Sequence, residues 1–259
     1  MVFPIIFQFY KNKIFVKYVK TLDFDWLYIP HILKSKYKWK DEFMIKYAIF
    51  DMDGTLINSM YKWNRVILDY IENLGIKPDD DFIKKIKTKT LLTSIDYIHE
   101  TFDIKKTTDD GLNFIYYTIR NGYMNEFDLK PGVLDMLEKL KSMGIKMCVA
   151  TATEDHLAIP ALEKQGILDY FEFVQTCKSV GYHKYENEYW NSALEKLGSS
   201  VDDTIVFEDA LYCIDTVDKM GFKIVGITDE STVNDYDVID EKVDQYIESY
   251  DDLDYDLFK

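Results

Sequence analysis

The stretch Asp51-Met52-Asp53-Gly54-Thr55-Leu56 follows directly on the short apolar and aromatic run Tyr47-Ala48-Ile49-Phe50. A run of that kind reads as a buried strand of a parallel sheet. Both carboxylates then stand at the C-terminal end of the strand, which is the edge where open α/β sheets bind ligands. Two acids one residue apart, with Gly next to them, are costly to desolvate there unless a cation or an activated phosphate faces them. The stretch therefore points to phosphoryl-transfer chemistry, with Asp51 and Asp53 as the first candidate residues.

Downstream, the pattern alternates as a parallel sheet requires. Leu129-Lys130-Pro131-Gly132 opens a helix running to about residue 143. Strands are then expected over 146–151, 171–175, 204–208 and 223–227, with helices over 154–165, 186–197 and 210–220 between them. Residues 243–247 make a candidate edge strand, and 251–259 an acidic tail. Repeated βα units of this kind specify an α/β fold with a doubly wound, Rossmann-like parallel sheet.

Between the first strand and this series the chain reads as helix. Met60, Tyr61, Trp63, Ile67, Tyr70, Ile71 and Leu74 recur at three-to-four spacing up to Gly75, a plausible stop signal. Phe82, Ile83 and Ile86 form a shorter segment. The period resumes over 91–102 and 112–123, with Thr107 or Thr108 as N-cap and Gly122 near the end. A nearly strand-free insert after the first core strand is expected to be a helical cap, over 60–128, on a core made of 44–59 and 129–259.

Residues 1–43 differ in character, with eight lysines against four acids (Asp23, Asp25, Asp41 and Glu42) and no sustained period. One reading is a basic, aromatic arm that docks on a partner or on the acidic body. The other is that translation naturally begins at Met44, since Lys40-Asp41-Glu42 can be encoded by a purine-rich stretch of the ribosome-binding kind.

The whole chain of 259 residues is 47% hydrophobic and 30% charged, with a formal net charge of -15. Such an excess of negative charge argues against a phosphate-backbone surface, so nucleic acid is not an expected partner. Cys148, Cys177 and Cys213 are odd in number and widely spaced, which fits a reducing cytoplasm better than a disulfide framework or a zinc site. No run approaches the ~18 apolar residues of a membrane span, and Met1 to Tyr10 lacks the features of a signal peptide.

Three further features fall near predicted strand ends. Thr151 offers a hydroxyl and adjacent backbone N–H groups of the kind that suit phosphate oxygens, although Thr in that place also serves as a helix cap. Glu208-Asp209 follows Thr204-Ile205-Val206-Phe207 and repeats the logic of the first acids: hard oxygen ligands suited to Mg2+, or else an N-cap pair. A lysine between them would offset the charge of carboxylates and phosphate.

Together these residues resemble the four motifs of the haloacid dehalogenase superfamily, in order, over 44 to about 250. The helical insert matches its subclass with a C1 cap, and Val206-Phe207-Glu208-Asp209-Ala210-Leu211 is similar to one of its phosphatase branches. The chain departs from the family's Gly-Lys-Pro in Gly181-Tyr182-His183-Lys184-Tyr185. Alignment on the following helix puts Lys184 in the lysine position, with Lys178 as rival, while His183 reads as a loop residue.

The resemblance implies that Asp51 attacks phosphorus to form an aspartyl-phosphate and that Asp53 acts as acid and then base. Mg2+ would be held by the Asp51 carboxylate, the Asp53 backbone carbonyl and Asp209, with Glu208 nearby. Thr151, the Ala152 backbone and Lys184 would hold phosphate oxygens, with Gly54 turning the chain beneath them. The implied substrate is a small phosphorylated metabolite, selected by cap residues such as Asn58, Ser59, Trp63 and Lys87 with its neighbours Thr88, Lys89 and Thr90. The expected activity is phosphate-monoester hydrolysis. Asp53 separates it from the dehalogenases, and the lack of His in Asn58 to Asn64 weighs against a sugar phosphomutase such as β-phosphoglucomutase. A non-catalytic binding module on the same scaffold is the alternative of another class.

Overall fold

The computed structural model describes residues 7–10, 13–16, 44–86 and 88–259. The chain divides into two compact units, 1–42 and 43–259. Of the first, strands β1 (Phe7–Tyr10) and β2 (Lys13–Val16) pair antiparallel. The two readings of residues 1–43, docking arm or untranslated leader, otherwise lie outside the described residues, as does Lys87.

The second unit is built on six parallel strands: β3 (Tyr47–Phe50), β4 (Lys146–Thr151), β5 (Val174–Thr176), β6 (Thr204–Glu208), β7 (Lys223–Ile227) and β8 (Gln245–Ile247). Their spatial order is β5-β4-β3-β6-β7-β8. The chain leaves β3 toward β4 and later returns to its other side with β6. The C-terminal end of β3 is thus the switch point, where the flanking connections diverge and leave a crevice.

The strands bury both faces, as the unbroken apolar runs require. Ala48 and Phe50 join one core cluster with Met147, Val149, Ile205 and Phe207. Ile49 joins the other with Cys148, Ala150, Val206, Tyr189 and Trp190. Adjacent rings of Phe50 and Phe207 stack at 4.3 Å between centroids, packing the sheet directly below the two acidic strand ends.

Among the described residues, 60–128 holds helices and no named strand: α1 (Met60–Trp63), α2 (Val66–Asn73), α3 (Asp80–Ile86), α4 (Leu91–Thr101) and α5 (Thr108–Asn125). The continuous period over 60–74 is interrupted at Asn64 and Arg65, where the hydrogen bonding tightens to Arg65 N–H on Lys62 O at 3.0 Å. Thr107 caps α5 in a reciprocal box with Asp110. Gly122 lies near the end of α5, as the sequence suggests, and a Cβ there would come within 2.1 Å of the Phe127 ring.

The core helices are α6 (Val133–Ser142), α7 (Asp155–Lys164), α8 (Cys177–Val180), α9 (Asn187–Leu197), α10 (Leu211–Met220) and α11 (Tyr236–Asp240). Two edge strands are shorter than the sequence suggests. Before β5, residues 168–170 coil into a 3-10 turn, and Glu172 meets β4 through one bond to Met147 O at 2.8 Å. The acidic tail folds into 3-10 turns that bury Leu253 and Phe258. Among the described residues, no helix is long and apolar enough to cross a membrane.

Candidate active site

The parallel register sets Phe50 beside Val149 and Phe207, so β3, β4 and β6 end side by side. Their terminal residues deliver Asp51, Thr151, Glu208 and Asp209 to one cleft of about 490 Å3, with Asp53, Ala152 and Lys184 in its wall. Asp51, Thr151, Lys184, Glu208 and Asp209 are buried.

Lys184 comes from the loop before α9 and is 3% exposed. Its ammonium donates to Asp51 Oδ1 and to Glu208 Oε2, both at 2.6 Å. Burial alone would lower its pKa, but Asp51, with Glu208 behind it, holds it well above the usual lysine value. Trp190 Nε1 fixes the loop by donating to Lys184 O at 2.7 Å. Lys178, the rival, is exposed and pairs with Glu154 at 2.7 Å, while His183 is exposed in the loop and stacks on Tyr185.

Asp51, Glu208 and Asp209 each present a carboxylate oxygen within 4.8 Å of the others. Burial, reinforced by the neighbouring carboxylates, pushes Asp209 well above the ordinary range, and burial raises Glu208 to about 7 despite Lys184. Thr55 donates to Asp209 Oδ1 at 3.0 Å, and the backbone N–H groups of Asp209 and Ala210 donate to Glu208 Oε1. Gly54 sits at φ +86°, where a Cβ would lie 2.4 Å from Asp209 Oδ2. Only glycine both adopts this turn and leaves room for that carboxylate. Three buried hard-oxygen donors against one ammonium fit a small divalent cation such as Mg2+.

The carboxylate of Asp53 faces elsewhere. Its Oδ1 accepts from Ser59 Oγ at 2.5 Å, Tyr123 OH at 2.5 Å and Trp63 Nε1 at 3.3 Å, and its Oδ2 from Thr153 Oγ1 at 2.7 Å. Burial and then the charge of Asp51 raise its pKa, and the hydroxyl donors pull it part of the way back. Thr153 N–H also donates to Thr151 Oγ1 at 3.0 Å, and Tyr189 OH to Thr151 O at 3.1 Å, which hold the end of β4.

Of the candidate cap contacts, Trp63 lines the cleft. Ser59 is buried and committed to Asp53, Asn58 is exposed and outside the lining, and Lys87 lies outside the described residues. Sequence reasoning passed over Tyr123, Thr153 and Thr55. Tyr123 had left a trace: it continues the buried stripe Ile115, Ile119 at a spacing of four, and a buried tyrosine needs a partner for its hydroxyl.

Residues 48–227 match the family model described as haloacid dehalogenase-like hydrolase. A phosphorylated carbohydrates phosphatase of Thermotoga maritima is 24% identical over 181 residues, covering 70% of this chain and 84% of its own. A phosphoglycolate phosphatase of Agrobacterium fabrum is 25% identical over 186 residues, covering 70% and 79%. Among solved structures, a β-phosphoglucomutase from Clostridium difficile has the same fold with a TM-score of 0.62 at 22% identity, over 82% of this chain and 95% of that one.

Proposed function

The chain belongs to the haloacid dehalogenase-like hydrolases, and from that premise we propose that it is a Mg2+-dependent phosphatase acting on a small phosphorylated metabolite through an aspartyl-phosphate on Asp51. The observation that carries this reading is the convergence of Asp51, Lys184, Glu208 and Asp209 at the sheet's switch point, beside an Asp53 held by four donors. The two named relatives are phosphatases of different compounds. They support the reaction and leave the substrate open.

In this mechanism an Asp51 carboxylate oxygen attacks phosphorus while the ester oxygen leaves with a proton from Asp53. Water, deprotonated by Asp53, then attacks the acyl phosphate and releases inorganic phosphate with both aspartates restored. The proton balance closes on Asp53, which explains the use of an acid whose pKa burial raises. Lys184 and Thr151 bind the transferring oxygens, and Ala152 contributes backbone to the same wall. Asp51 and Asp209, with Glu208 behind them and the Asp53 backbone carbonyl alongside, would hold Mg2+. The ion would supply charge neutralisation for an anionic nucleophile approaching an anionic phosphate. Among the described residues the side chains that donate to Asp53 are Ser59, Trp63, Tyr123 and Thr153, and none is His, which favours water over a sugar hydroxyl as acceptor. The free thiols Cys148, Cys177 and Cys213 are consistent with action in the cytoplasm.

The test is hydrolysis of p-nitrophenyl phosphate with Mg2+ and with EDTA. Wild type should release nitrophenol only with the metal, and Asp51→Asn should retain the fold by circular dichroism while losing about a thousandfold or more in kcat. Metal-independent turnover, or a folded Asp51→Asn enzyme of near wild-type rate, would refute the reading.

A further inference from the structure

The cleft is also lined by residues that the phosphoryl-transfer chemistry does not use. Trp63, Leu91 and Leu157 give it an apolar and aromatic surface, and Asn64 adds an amide. The same lining includes Glu154, whose Oε1 accepts from Tyr116 OH at 3.0 Å and whose Oε2 accepts from Lys178 at 2.7 Å. Among the described residues, Lys184 is the only cation lining the cleft, and it is engaged by Asp51 and Glu208. The nearby basic groups also have partners: Lys62 and Arg65 pair with Asp69, Lys178 pairs with Glu154 from the solvent side, and His156 Nδ1 lies 3.5 Å from the same Glu154 Oε2.

On the phosphatase reading above, we infer that the substrate is a monophosphate ester of an uncharged, hydroxylated alcohol, and that Glu154 excludes esters whose alcohol carries a second anionic group. With the lysine and a bound cation both engaged by the transferring phosphate and the three acids, no further lysine or arginine among the described residues lines the cleft to neutralise a carboxylate or second phosphate. Such a group would be desolvated against the Glu154 carboxylate, an unfavourable pairing in a partly dry site. The hydrogen bond from Lys178, with those from its neighbours, keeps Glu154 ionised by lowering its pKa. A hydroxyl, by contrast, can donate to the free lone pairs of Glu154 or bond the Asn64 amide, with a carbon face against Trp63 and Leu157.

The experiment compares kcat/KM, with Mg2+, for glycerol 1-phosphate and a hexose 6-phosphate against 2-phosphoglycolate, pyrophosphate and a hexose bisphosphate, with p-nitrophenyl phosphate as reference. The uncharged-alcohol esters should exceed the doubly anionic substrates by about tenfold or more, and Glu154→Gln should narrow that ratio severalfold. Equal or better turnover of the doubly anionic substrates by wild type overturns the inference, and so does an unchanged ratio in Glu154→Gln. The wild-type comparison decides alone if that variant does not fold. Hydrolysis of p-nitrophenyl phosphate with the wrong preference sinks only this inference, whereas absence of that hydrolysis removes the phosphatase reading and this one together.

Discussion

Four donors converge on the Asp53 carboxylate, and three of them, Ser59, Trp63 and Tyr123, come from beyond the core strands, in the stretch leading into and through the helical insert. Tyr123, like Ser59, bonds Asp53 at 2.5 Å, and its own ionisation is pushed well above the usual value by burial and by Asp53, so it stays a donor. A hydrogen bond to a charged group is worth about 1.5–3 kcal/mol. Here its effect is to aim the carboxylate rather than to touch substrate, since Tyr123 is not part of the cleft lining. Tyr123→Phe should therefore lower kcat about tenfold or more while KM stays within about twofold. Steady-state kinetics on p-nitrophenyl phosphate checks this, and a rise in KM with unchanged kcat would mean that the hydroxyl serves binding instead.

Docking of the C-terminal element is set by side chains that the composition of 251–259 conceals. Acids dominate the stretch, yet Phe258 is 2% exposed and Leu253 5%. Leu257 O accepts from Lys223 Nζ at 2.6 Å, which ties the turn to the start of β7. Phe258→Ala should cost about 3–5 kcal/mol, read from the urea midpoint at unchanged m-value; a cost below about 1 kcal/mol would mean the turn is not docked. The same contrast explains what was legible elsewhere. Strands β3, β4, β6 and β7 could be read from their apolar runs because both faces are buried, and the strand order then brings Asp51, Thr151, Glu208 and Asp209 together with no further information. Lys184 was legible only through the family resemblance, aligned on α9, with Lys178 as a rival. What stayed hidden depends on tertiary partners: the interruption after Trp63, whose indole meets Asp53 and Tyr123, the use of Ser59 as a donor, and the packing of Gly122 on Phe127. No local period encodes such contacts.

Across the whole molecule, of net charge -15, folding brings Asp51, Glu208 and Asp209 out of water with Lys184 as their buried cation. Glu208 at about 7, and Asp209 and Asp53 also raised, bind protons more tightly folded than unfolded. For acids shifted in that direction, stability is greatest when they are protonated and declines as pH rises from the ordinary carboxyl value of about 4.3 through the folded one. In EDTA, thermal midpoints should thus fall between about pH 5 and pH 8. Mg2+ requires the ionised oxygens, so it should restore stability most at the alkaline end, by about 1–3 kcal/mol at saturating metal and by little near pH 5. Asp209→Asn should flatten the pH slope and abolish the Mg2+ increment, because it removes one of the crowded charges and one of the proposed ligands at once. Scanning fluorimetry of both proteins across the window reads all of these effects without any substrate. A midpoint in EDTA that rises with pH, or a Mg2+ increment equal at both ends, would mean that the three acids are not the site at which charge and metal are balanced.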